Sequence, residues 1–193
     1  MAFPYDKLKA DSGNISGYIF ENPQAGLERG LYLSIYVYFA PLRYDDGEWR
    51  CALISEFIPF NGRSWKDIEK VDSSDNKMQE IMDTSFYLTK HDSCNEVSIN
   101  LTLQKNNMFR TKISTHVDFS GYLENDENPS MPVAVDLVIP FTGFTIQRDS
   151  FFPKPNNLEE AIDLASPFID IKSFQEPTFT DGKFVFKPRN GDM

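Results

Sequence analysis

Alternation of apolar and polar positions dominates this chain. In residues 31–40, LYLSIYVYFA, an extended strand puts Leu31, Leu33, Ile35, Val37 and Phe39 on one face and Tyr32, Ser34, Tyr36 and Tyr38 on the other. A half-buried strand normally carries charged or small polar groups on its second face. Three tyrosines there imply a covering layer, a ligand or a partner. Asp46-Gly47 marks a hairpin turn, since both residues tolerate positive φ, and makes residues 48–58 the antiparallel neighbour. In that strand Trp49, Cys51, Leu53, Ser55 and Phe57 share one face, and Arg50, Ala52, Ile54, Glu56 and Ile58 share the other. Neither face is wholly polar, which predicts a sheet covered on both sides for part of its length.

An earlier strand is predicted over residues 15–21. After Asn61-Gly62 the period lengthens: Trp65, Ile68 and Val71, then Met78, Ile81 and Met82, recur at helical spacing and predict two short helices, the second capped by Ser74 or Asp75. Strands return with VSINLTLQ, which turns Val97, Ile99, Leu101 and Leu103 inward, and with TKISTHVDFSGYL, which does the same for Ile113, Thr115, Val117 and Phe119. A further long strand, VAVDLVIPFTGFTIQ, contains Pro140, which predicts an edge or a bulge near its middle. PNNLEEAIDLA opens a helix capped by Asn157, and PTFTDGKFVFKP closes the chain with a second Asp-Gly hairpin. The expected fold is mainly β, of the α+β kind: an antiparallel β-sandwich or strongly curved sheet with two or three short helices, in a single domain spanning 1–193. In that fold the tyrosine face is either a second core layer, under the helices of residues 64–83 or the C-terminal hairpin, or an exposed aromatic patch.

Charge narrows the choice of partner. The 193 residues carry a formal net charge of −10, which disfavours direct binding to nucleic acid or to an anionic membrane. Residues 118–181 hold 12 acids against three bases, a net of −9. This excess either keeps the surface soluble or meets a basic partner. The opening MAFPYDKLKADSG has no apolar segment of the secretory or membrane-anchor kind, and two cysteines suit a reducing compartment, so a cytoplasmic location is expected.

Candidate chemistry is sparse. HDSC brings His91, Asp92 and Cys94 close in sequence, but two soft ligands do not complete a zinc site, and no further group in the pattern orients the histidine for nucleophilic catalysis. The acids Glu124, Asp126 and Glu127, or Asp72 and Asp75, lack the calcium-loop spacing. A carboxylate-based hydrolase would need two acids converging in a pocket. No catalytic residue, metal ligand or cofactor is therefore expected.

The expected function is that of a non-enzymatic acidic protein-binding module, of the inhibitor or immunity type, that occupies a basic surface such as that of a nucleic-acid-active toxin or enzyme. Its expected partner-binding residues are Glu124, Asp126, Glu127, Glu159, Glu160 and Asp163, with Tyr36 and Tyr38 as anchors. The alternative is a structural subunit of a homomeric or multiprotein assembly, a viral or secretion particle, since strands apolar on both faces suit subunit contacts.

Overall fold

The computed structural model describes residues 4–44, 46–118, 130–151 and 153–189. Its strands are β1 (Ala10–Asn22), β2 (Leu27–Phe39), β3 (Leu42–Tyr44), β4 (Gly47–Trp49), β5 (Ala52–Pro59), β6 (Asp83–Tyr87), β7 (His91–Leu103), β8 (Met108–Asp118), β9 (Ser130–Gln147), β10 (Thr178–Thr180) and β11 (Lys183–Phe186). Two α-helices, α1 (Asn76–Ile81) and α2 (Leu158–Ala165), join them. An antiparallel ladder runs β1-β2-β5-β6-β7-β8-β9, and β9 then pairs in parallel with β1. The result is a closed seven-stranded β-barrel, which corrects the expected sandwich while leaving the mainly β character and the few short helices in place.

Closure is made at a corner in β9. Up to Pro140, which faces Met108, this strand pairs with β8. Pro140 has no N–H to continue that ladder. Beyond it Phe141 pairs with Ile15, and Phe144 to Ile146 pair with Gly17 to Ile19 of β1, while their other edge takes β11. Asn107 holds the corner: Phe141 N donates to its carbonyl oxygen at 2.7 Å, and its own Nδ2 donates to Phe141 O at 2.6 Å. Gly143 supplies the bend with φ 129°, where a Cβ would stand 2.5 Å from Phe186 O. Across the seam, Gly17 leaves room for the Phe144 ring, which a Cβ there would meet at 2.0 Å.

The barrel interior is packed with the alternating apolar sets of its strands, including Leu33, Ile35, Val37, Leu53, Phe86, Ile99, Phe109, Ile113, Val135 and Ile139. Two inward hydroxyls satisfy each other, Thr84 Oγ1 donating to Ser55 Oγ at 3.0 Å. The Asp46-Gly47 turn forms as expected, with Asp46 at φ 62°, but β3 and β4 make a separate two-stranded sheet, and only β5 pairs with β2.

The segment predicted to cover the tyrosine face does something else. A 3-10 turn at Trp65–Lys70 sets Trp65 edge-on to Phe109, with Ile68 fully buried beside the barrel core. Ser73 Oγ then accepts from Ile99 N at 2.7 Å and donates to Ile99 O at 3.1 Å, and Gln79 Nε2 donates to Val97 O. Because β6 pairs with β7 only through residues 91–93, these side chains satisfy the β7 edge that the barrel leaves open.

Strand directions sort the connections into two ends. One rim carries Ala10, Phe39, Ala52, Tyr87, His91, Asp118 and Ser130; the other carries Asn22, Leu27, Pro59, Asp83, Leu103, Met108 and Gln147.

Candidate functional site

The outer wall made by β1, β2 and β5 is aromatic. Rows of paired residues cross it: Ser12, Tyr38 and Ala52; Asn14, Tyr36 and Ile54; Tyr18 and Tyr32. None of these positions is Lys or Arg. A bulge in β5 adds Phe57, whose φ of 54° turns it outward, while Ile58 and Phe60 point into the core. Tyr18 lies 6.1 Å from Tyr32 and 6.0 Å from Phe57, and Phe20 lies 5.7 Å from Phe57, ring centre to ring centre.

Hydrogen bonds pin the rings in place. The bulge takes Phe57 N out of the ladder, and Tyr18 OH accepts it at 3.0 Å. Tyr32 OH donates to Glu28 O at 3.1 Å, and Tyr36 OH donates to Glu56 Oε1 at 2.7 Å. Burial, reinforced by the Glu56 hydrogen bond, pushes the Tyr36 phenol well above its ordinary value; burial also raises Tyr18 and Tyr32. Exposure grades along β2, from 7% at Tyr32 through half-buried Tyr36 to 45% at Tyr38. The tyrosine face is thus anchored to the barrel at one rim and open at the other. Glu56 is the carboxylate set among the rings.

The wall formed by β7, β8 and β9 differs in kind. Its outward residues include Asn100, Thr102, Arg110, Lys112 and Asp136, and Arg110 grips Asp136 through two bonds of 2.8 Å. That ion pair is solvent-exposed and contributes little to stability.

The acidic residues singled out from sequence do not form one patch with the tyrosines. Glu124, Asp126 and Glu127 lie outside the described residues. Glu160 is engaged in capping α2: its carboxylate accepts from Asn156 N at 2.8 Å and from both neighbouring asparagine side chains, while Asn157 Oδ1 accepts from Glu160 N at 2.9 Å. Glu159 is exposed on the same helix, and Asp163 lines a cleft with Arg29, Lys154 and Glu160. Arg29 and Tyr38 are nine positions apart along β2, about 30 Å of extended strand. The α2 acids and the exposed tyrosine therefore belong to opposite rims.

His91, Asp92 and Cys94 open β7, where alternation puts His91 on one face and Asp92 and Cys94 on the other. His91 faces outward against the Tyr87 ring at 5.0 Å and bonds Ser85 Oγ, while Asp92 is buried. Burial pushes the thiols of Cys51 and Cys94 up to about 11, which keeps both protonated at neutral pH. Asp67, Asp72 and Asp75 do line one cleft. Lys70 holds Asp67 below the usual carboxylate range, and hydrogen bonds from Ser74 do the same for Asp72. Among the described residues no three His, Cys, Asp or Glu side chains gather as a metal site, and no helix is long and apolar enough to cross a membrane.

What the fold and this surface define is a closed seven-stranded barrel with one aromatic outer wall. Compared with known protein families, curated proteins and solved structures, the chain shows no match.

Proposed function

We propose that this protein is a non-enzymatic binding module, cytoplasmic and acidic, whose docking face is the aromatic wall of β1, β2 and β5 and whose partner is a protein presenting arginine or lysine side chains. The observation that carries this reading is the pinned set Tyr18, Tyr32 and Tyr36, with Glu56 among the rings and the exposed Tyr38 at the rim. Rings already held by the fold lose little freedom on binding, which is why rigid aromatics serve as interface anchors. A guanidinium laid on such a ring gains about 0.5–2 kcal/mol, and more where a carboxylate such as Glu56 faces it. The net charge of −10 supports a basic partner, because it speeds encounter with one and repels acidic competitors.

The test is affinity capture from the native host at low and high salt, with the wild-type protein beside the variants Tyr38→Lys and Glu56→Gln. A basic protein held by the wild type, shed by salt and lost from both variants is the expected result. Equal retention by the variants would remove the wall as the docking face. Recovery of only further copies of this chain, regardless of salt, would make the wall a homomeric interface instead.

A further inference from the structure

A second cleft, which shares Tyr32 with the aromatic wall, lies toward the rim opposite Tyr38. The loop after β5 and the start of β2 enclose a cleft of about 650 Å³, within the range that accommodates a small organic ligand. Apolar side chains form much of its lining: Pro59 and Phe168 on its sides and Ile81, 38% exposed, at its edge. Arg29 and Arg63 also line it, together with Glu28.

The two arginines are not equivalent. Arg29 is compensated, since Nε and Nη2 donate to the two carboxylate oxygens of Glu21 at 2.8 and 2.9 Å. Arg63 has no such partner: among the described residues no carboxylate lies within ion-pair distance of its guanidinium, and Asp67, which accepts Arg63 N, is paired with Lys70. Arg63 is exposed, but its backbone is tied on both sides and its side chain is held at one point. Its Nη2 donates to Ser166 O at 2.8 Å, Asp170 N donates to Arg63 O at 2.7 Å, and Asp67 Oδ2 holds its N–H. The bond to Ser166 O helps terminate α2, but it uses one of five guanidinium donors. The other donors of the fork make no ion pair among the described residues, and Arg63 stands at the edge of a cleft lined by apolar and polar residues alike.

We infer that this cleft binds a small amphipathic carboxylate, with Arg63 taking the carboxylate and Pro59, Ile81 and Phe168 packing the apolar body. Planar forks favour carboxylates because two parallel N–H bonds match two oxygens. The same chemistry occurs on a free carboxylic acid and on the C-terminus of a peptide ending in an apolar residue, and the probes below separate the two.

The experiment is titration of the isotope-labelled protein, followed by amide chemical shifts, with 4-phenylbutyrate, with its neutral counterpart 4-phenylbutan-1-ol, and with N-acetyl-leucyl-phenylalanine. The carboxylates are expected to shift residues 27–32, 59–63 and 167–168 saturably, and the alcohol to bind about tenfold more weakly. Arg63→Gln should abolish that difference, while Tyr38→Lys, on the other rim, should leave it intact. Tighter binding of the peptide than of 4-phenylbutyrate would identify a chain terminus as the ligand, and the reverse order a free acid. Equal binding of acid and alcohol, shifts centred elsewhere, or no saturable shift would overturn the inference. The acid and alcohol comparison on the wild-type protein decides the matter even if Arg63→Gln does not fold.

Discussion

Tyr18, Tyr32 and Tyr36 place their rings on one wall and send their hydroxyls to three different partners, a backbone N–H, a backbone carbonyl and a carboxylate. Each phenol is favoured in its neutral form by burial, so its folded pKa lies above the ~10 of an unfolded chain. The stability this contributes is fully present below about pH 10 and is lost as pH rises through the folded values. An ultraviolet titration into alkali should find that these three of the eight tyrosines ionise late, together with unfolding. Simple ionisation of all eight at the ordinary phenol midpoint would contradict the pinned wall. Tyrosine spacing in β2 was readable from alternation. Phe57 was not, because it was grouped with Leu53 and Ser55, and only the bulge turns it outward.

Among the elements, β9 governs the architecture. Its Pro140 was legible as an irregularity, but an edge strand and a corner that changes partners look alike in sequence. The parallel pairing with β1 joins residues more than 120 positions apart, through no turn that could announce it. Gly17 and Phe144 form the tightest point of that seam. Gly17→Ala should cost about 1–3 kcal/mol, the usual effect of overpacking, because Phe144 is held against Phe60, Phe141 and Phe174 and has little room to yield. Urea unfolding measures this, and an unchanged midpoint would mean that the seam is looser than drawn. The helical insertion teaches the same lesson. Its apolar period was visible, but its use of Ser73 and Gln79 to satisfy the β7 edge depends on a gap that exists only once the barrel closes.

For the molecule as a whole, the barrel divides what the sequence kept together. The acidic third of the chain contributes Asp118 and Ser130 to the rim that carries Phe39, then crosses the full barrel in β9 and delivers Glu159, Glu160 and Asp163 at the other. Charge reversal at Glu124, Asp126 and Glu127 should slow association with a basic partner and flatten its salt dependence. Reversal at Glu159 and Asp163 should leave that partner's dissociation rate unchanged, since Asp163 shares its cleft with Arg29, at the end of β2 remote from Tyr38. Binding kinetics across a salt series distinguish the two sets, and an equal effect on dissociation would argue for a partner that wraps both rims.

By itself, the sequence determined the strands with strict alternation, the Asp-Gly turns, the Asn157 cap and an aromatic face awaiting explanation. Those features depend on neighbours within a few residues, where side-chain period and turn geometry act directly. Only the tertiary structure decided that the sheet closes, which wall stays aromatic and open, and that Arg29 and Arg63 share a cleft. Each of these joins residues remote along the chain, and their meeting is set by strand twist and the packing of one core, which local pattern does not encode.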